Sequence, residues 1–321
     1  MRFGFIGDIL RWLLDLIYGF LPNYGVAILL FVLVIRMCIM PLEIKSRRGM
    51  KRMQDVQPKI DELNKKYAKD KERLNQKMAD LYKKEKISPM SGCLPMLLTF
   101  PILFAMFAVM REVANEKTVE MILGVKDALA AGNLDYKPAL EGFLWIKNVF
   151  QPDSFMSTVV PAASDTALLG VSAFGALTQE MIDEASAFLL TEEYAAWAAA
   201  YGNDVVYSAP MLLWTISIPK NFNGLFVLPV LSAVTQLLAT KFMNTNTPEP
   251  SKNNPQQNST QQMMKWFFPL FSLWICASSN AGFALYWVFA NVIQVIQQFA
   301  INKWLDYSES KKKLIIEEAG K

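Results

Sequence analysis

Apolar runs about twenty residues long recur along the chain, and this restricts the fold before any single residue is considered. A hydrocarbon core of roughly 30 Å takes about twenty residues of helix to cross, and in lipid each backbone polar group must be satisfied internally. The chain therefore reads as a bundle of membrane-crossing helices. Of its 321 residues 53% are hydrophobic, with 21 Phe, 17 Met and 8 Trp. It has no histidine, which removes the commonest general base and the commonest metal ligand. Cys38, Cys93 and Cys276 are far apart, in or beside apolar runs, so neither a disulfide framework nor a CxxC site is indicated. No catalytic residue, metal or cofactor is expected, and the chain is not read as an enzyme.

Residues 1–22 place Asp8, Arg11 and Asp15 on one helical face with apolar residues around the rest, which suits a helix lying in the membrane interface. A signal peptide is the alternative, but few positive charges precede the apolar part and no small-x-small cleavage site follows it. A first span covers 23–44, with Pro41 near its end. Residues 45–89 hold 15 Lys and Arg against 7 acids, net +8, and apolar residues from Ile60 to Tyr82 recur at three- and four-residue intervals. Two amphipathic helices joined near Ala68 to Lys71 would make a cytoplasmic helical hairpin; a single bent helix is the alternative. The second span, 90–111, carries Pro95 and Pro101.

Residues 112–222 form an extracytoplasmic segment with an enlarged insertion, holding 5 Lys against 14 acids, net −9. Thr178 and Thr191 are expected as helix N-caps and Gly202 as a helix stop, so this segment reads as a small helical subdomain. The third span covers 223–243. Residues 244–262, rich in Asn and Pro, read as a flexible cytoplasmic loop. Residues 263–301 are too long for one crossing and divide at "SSNAG" (278–282) into fourth and fifth spans, followed by a cytoplasmic tail, 302–321. The expected fold is an all-α integral membrane protein of five transmembrane helices. The positive-inside rule puts the net +8 segment in the cytoplasm, the N-terminus outside and the C-terminus inside.

Arg36 is the odd residue. It lies inside the first span, roughly 13 Å along a helix from Lys45, too far for its side chain to reach the interface with ease. A buried Arg in a span costs about 2.5 kcal/mol on insertion scales and usually faces a partner or a wet cavity. No Asp or Glu lies inside the apolar runs, Glu43 being at the membrane edge, so an internal salt bridge is not expected and a wet cavity is. Asn291, Gln294 and Gln298 fall at i, i+3 and i+7 in the fifth span, Ser232 and Gln236 at i, i+4 in the third, and Thr99 in the second. They could line a hydrophilic groove with Arg36, or the amides could merely join helices by hydrogen bonds.

Four segments, "NYGVAILLFVLVIRMCIMPLEIKSRRGMKRMQDVQPKIDELNKKY", "MADLYKKEKISPMSGCLPMLLTFPILFAMF", "LPVLSAVTQLLATKFM" and "NAGFALYWVFANVIQVIQQ", resemble in order and spacing the YidC/Oxa/Albino membrane protein insertases in their bacterial five-span form. The resemblance implies a plasma-membrane insertase with a cytoplasm-open hydrophilic groove whose positive charge, by position, is Arg36. By the same carry-over Thr99, Gln236, Asn291 and Gln294 line the groove, joined by Gln298 from its spacing. It also implies a mobile cytoplasmic hairpin that receives substrate. The implied partners are nascent membrane proteins, membrane lipid, the translating ribosome and, as a further candidate, a Sec-type translocase; no nucleic-acid sequence is recognised. Asn280 departs from the family pattern, standing where proline is usual before Ala-Gly, and residues of about 155 to 218 have no recognised counterpart.

The expected function is insertion of lightly translocated membrane proteins without nucleotide hydrolysis, since no GxxxxGK[ST] phosphate loop is present. A secondary transporter or channel is the alternative; it would usually show intramembrane acids or inverted repeats, and neither is evident.

Overall fold

The computed structural model describes residues 4–85, 94–169, 177–203, 206–210, 215–219, 222–244 and 255–319. Nine α-helices are seen among them: α1 (Gly4–Phe20), α2 (Tyr24–Lys66), α3 (Lys71–Glu85), α4 (Leu94–Ala130), α5 (Gln179–Leu189), α6 (Glu192–Asn203), α7 (Val227–Asn244), α8 (Pro255–Ser278) and α9 (Ala281–Ala319). Among the described residues two helices, Tyr24–Lys66 and Ala281–Ser308, are long and apolar enough to cross a membrane, and Val227–Phe242 is a shorter apolar helix. On α8 the large side chains of Trp266, Phe267, Leu270 and Trp274 all point outward. In water such a surface would be an aggregation site; in hydrocarbon it is the ordinary outside of a helix.

The helical class holds with one correction. Strands β1 (Val206–Pro210) and β2 (Thr215–Pro219) pair antiparallel, with Ser208 opposite Ser217. Both are too short for any periodicity to stand out from the sequence, so the segment 112–222 is not wholly helical. The loop expected over 244–262 is corrected as well: α8 begins at Pro255, which pre-sets its own φ at a first helical position ahead of Gln and Met, both good helix formers. Residues 245–254 lie outside the described residues. The division expected near 278–282 falls between Ser278 and Ala281.

The chain forms two compact units. One comprises Met1–Val32, Ile102–Ser232 and Ser272–Phe289. Within it α1 has three faces. Leu10, Leu14 and Ile17 are buried, Phe5, Ile9, Trp12, Leu16 and Phe20 form an exposed apolar stripe, and the third face is charged. Arg11 on the charged face donates to Glu116 of α4 at 2.6 Å and to Asp15 at 2.7 Å, so α1 is docked by a buried ion pair as well as by its apolar side.

Helix α4 runs well beyond the expected span, and its second half builds the core of a helical subdomain. Val119, Ile122, Val125 and Leu129 pack with Ile182, Phe188 and Leu189 of α5 and with Tyr194 and Trp197 of α6. The buried aromatics keep their polar ends paired: Tyr194 donates to the Pro161 carbonyl at 2.9 Å and Trp197 to that of Tyr136 at 3.1 Å. Burial holds the Tyr194 phenol above its ordinary pKa. Thr178 and Thr191 act as N-caps, accepting from the N–H groups of Met181 and Tyr194, each at 3.2 Å.

In the same unit a loop over 141–157 gathers the first turns of three helices. Glu141 accepts from Tyr18 and from the N–H of Tyr24, and the Gly142 carbonyl accepts from Asn23, at the start of α2. Asp153, 1% exposed, accepts from the N–H groups of Leu225 at 2.8 Å and Leu228 at 2.7 Å, which places a carboxylate on the positive end of α7. A Cβ on Gly224 would sit 2.0 Å from that carboxylate, so only glycine fits there. Asn223, fully buried, donates to the carbonyls of Asn148, Gln151 and Pro152 and accepts from the Asn148 N–H. At α9 the N–H groups of Ala281 and Gly282 donate to the carbonyls of Gln151 and Val149. Asn280 caps the same helix by accepting from Phe283 at 2.9 Å.

The other unit comprises Leu33–Pro101, Ala233–Phe271 and Ala290–Lys321. Helix α2 continues through Pro41 and Pro58 without ending, so the first arm of the expected hairpin is the same helix that begins at Tyr24. The turn lies at Tyr67 to Asp70, and α3 returns along α2. Val56 and Ile60 pack with Met53, Met78, Leu81 and Tyr82. Lys59 donates to Glu85 at 2.7 Å and holds that carboxyl below its ordinary pKa. Arg48 lies over the Trp304 ring and Lys51 pairs with Asp306, joining α2 to α9.

Candidate functional site

Within this second unit two polar residues of α9, Gln294 and Gln297, meet Arg36. Its residue is 7% exposed, and three groups hold it. The guanidinium donates to Gln294 Oε1 at 3.1 Å and to Glu43 Oε1 at 3.2 Å, and the Arg36 carbonyl accepts from Gln297 Nε2 at 3.0 Å. Helical geometry explains the convergence. Glu43 stands seven residues after Arg36, two turns on along the same face, and both side chains are long enough to close that gap. Gln294 and Gln297, three residues apart, present both amides to one stretch of α2. Pro41 cannot donate to the carbonyl of Met37, and one residue ahead of that freed carbonyl the Arg36 carbonyl takes up a side-chain amide.

The Glu43 contact corrects the expectation that Arg36 has no acid partner. Judged by composition, Glu43 falls outside the apolar run, yet its side chain turns back along the helix and is only 18% exposed. A guanidinium has five N–H donors, and these two side-chain bonds occupy two of them. The remaining donors leave the guanidinium chemically able to bond further oxygen atoms.

Of the other expected residues, Asn291 is buried and donates to Thr235 of α7 at 3.3 Å, Thr235 being the neighbour of Gln236, the residue of α7 expected to line the groove. Gln236 is half-buried. Gln298 is buried, and its Oε1 makes no hydrogen bond among the described residues. Ser232 is buried and turned onto its own helix, donating to the Pro229 carbonyl at 2.6 Å. The Thr99 side chain lies outside the described residues.

Sequence reasoning missed Glu43, Thr235, Gln297 and also Arg47, which is 7% exposed with Nη1 unpaired among the described residues. The signals were weak but present: Glu43 and Arg47 follow Arg36 by seven and eleven residues, both close to one helical face. Ser46 Oγ and Gln297 Oε1 are likewise buried and unpaired. No group of three or more metal-ligating side chains occurs among the described residues. What remains is a buried cation held by one carboxylate and one amide, in a wall of partly unsatisfied amides: chemistry for binding acidic or polar groups.

Residues 16–310 match the family model described as "60Kd inner membrane protein". "Membrane protein insertase YidC" of Treponema denticola is 29% identical over 295 residues, 92% of this chain and 37% of that protein. The proteins of the same name from Rickettsia rickettsii and Rickettsia felis are 30% and 29% identical over 291 residues, 91% of this chain and 37% of each of theirs. The chain thus spans little more than a third of the length of these curated relatives.

Proposed function

The chain belongs to the 60Kd inner membrane protein family, and from that premise we propose that it is a membrane protein insertase, which takes nascent membrane proteins from the cytoplasmic side of a bacterial plasma membrane and releases them into the bilayer. The observation that carries this reading is the buried Arg36, held by Gln294 and Glu43 beside the Asn291 and Thr235 pair. A cation in a poorly hydrated, polar wall attracts a short acidic or polar tail and lowers its cost of leaving water. It does not need to hold the tail tightly. The driving force is the partitioning of the substrate's apolar segment, helped by the membrane potential, and no nucleotide is hydrolysed.

In this reading Arg36, Thr99, Gln236, Asn291, Gln294 and Gln298 line a groove open to the cytoplasm, among five spans with the N-terminus outside. The net +8 of residues 45–89 supports that orientation. The hairpin of α2 and α3 receives substrate, the exposed apolar stripe of α1 lies in the interface, and the ribosome and a Sec-type translocase are candidate partners. One observation favours secondary transport instead: the Arg36 and Glu43 pair places an acid where ion coupling could use it.

Proteoliposomes with and without the full chain separate these readings. The substrate is a small single-span protein with an acidic N-tail, scored by protease protection. Chain-dependent protection is the expected result. Ion-coupled solute uptake without any protection would replace the insertase by a transporter. Deleting 60–84 is expected to abolish protection while the membrane helices stay folded; undiminished insertion would remove the hairpin from the mechanism.

A further inference from the structure

Arg36, Glu43 and Arg47 follow one another along one face of α2, two arginines with a carboxylate between them. Glu43 is bonded to Arg36 at 3.2 Å, whereas Arg47 is as buried as Arg36 and its Nη1 has no partner among the described residues. A glutamate four residues ahead of an arginine is the favourable orientation of a helical pair. Glu43 therefore stands within reach of two cations and is bonded to one. A buried arginine with an unpaired donor is costly, and the cost falls when a carboxylate turns to it.

From this geometry we propose that Glu43 is an exchangeable internal counter-ion: it occupies Arg36 in the resting protein, is displaced when a substrate carboxylate arrives, and is then received by Arg47. The proposal takes its substrate, a short acidic polypeptide segment, from the insertase reading. It makes Glu43 and Arg47 specificity-determining residues. Without Glu43, Arg36 would present its donors permanently and bind acidic segments more tightly. Without Arg47, the displaced carboxylate would be left in an apolar environment, and displacement would be harder. The net charge of the site is unchanged when Glu43 moves, so only the incoming acid has to be stabilised.

The test is binding of a labelled acidic peptide, and of its Gln counterpart, to the full chain in nanodiscs, followed by fluorescence anisotropy. Glu43→Gln is expected to bind the acidic peptide about fivefold more tightly than the parent protein, with the Gln peptide unchanged. Arg47→Ala is expected to weaken acidic-peptide binding about fivefold in the parent protein and less than about twofold in the Glu43→Gln background, where no carboxylate needs a receiver. Equal affinity of parent and Glu43→Gln for the acidic peptide, or the absence of binding by both, would overturn the exchange. An Arg47→Ala effect of the same size in both backgrounds would overturn its receiving role, since Arg47 would then be touching the peptide itself. Proteoliposome insertion is scored separately. A Glu43 effect on binding with no chain-dependent insertion would refute the insertase reading alone, and normal insertion with no Glu43 effect would refute the exchange alone.

Discussion

The loop around Asp153 and Asn223 and the wall around Arg36 are built from the same kinds of residue, carboxylates and amides buried in an apolar setting, and they are finished differently. At the first, both oxygens of Asp153 and both ends of the Asn223 amide are bonded to backbone. At the second, Arg47 Nη1, Gln297 Oε1 and Gln298 Oε1 are buried and unpaired among the described residues. A fully satisfied polar network fixes one arrangement, because any other leaves a buried group without its bond. A partly satisfied one keeps a standing demand for ligands. Fastening and receiving thus need the same chemistry, and what separates them is whether the valences are closed.

The comparison can be broken by measuring stability. Asp153→Ala removes the acceptor of two buried N–H groups at the start of α7 and is expected to cost about 3 kcal/mol or more in unfolding experiments on the nanodisc-embedded chain. A loss below about 1 kcal/mol would mean the loop does not fasten α7. Asn223→Ala, which strands three carbonyls and one N–H, is expected to cost about 2 to 3 kcal/mol by the same measurement. Arg36→Ala should destabilise by less than about 1.5 kcal/mol, since Glu43 can turn to Arg47, yet reduce insertion of acidic-tailed substrates about tenfold and of neutral ones less than about twofold. Equal loss for both substrates would remove electrostatic attraction from the mechanism. Equal destabilisation by Arg36→Ala and Asp153→Ala would erase the distinction between the two regions.

The smallest effect lies in the hairpin. Because Lys59 depresses the Glu85 carboxyl, its contribution to holding α3 on α2 is present above the ordinary value of 4.5 and lost as pH falls through the lower folded value. Loosening of the pairing of α2 and α3 is therefore expected only below the ordinary carboxyl value of 4.5, read from distance labels on the two arms. Lys59→Ala should shift this loosening to higher pH; an unchanged profile would assign the pairing to the apolar contacts alone.

Arg36, Asn291 and Gln294 were legible in the sequence because a polar residue in an apolar run stands out, and helical spacing then says which share a face. Helix rotation was not legible to better than one residue: the choice between Thr235 and Gln236 turns on about 100° of rotation, which two polar positions cannot fix. Glu43 was hidden by its place at the edge of the run, where composition counts it with the water-exposed residues. The fastening loop was hidden more completely. Asn148, Asp153 and Asn223 lie in irregular chain up to 75 residues apart, where no periodicity relates them. The caps at Thr178 and Thr191 were legible because capping is local chemistry, read from one residue and the turn that follows it.

The unbroken course of α2 carries a mechanical consequence. Arg36 and Lys59 stand on one rod, about 35 Å apart at 1.5 Å per residue. If that rod pivots by 10° at Arg36, Lys59 sweeps through about 6 Å. The hairpin is then the long arm of a lever whose short arm holds the guanidinium. Weight placed on the far end arrives at Arg36 as torque, and loading of the hairpin and a change in the grip on Gln294 of α9 become one motion.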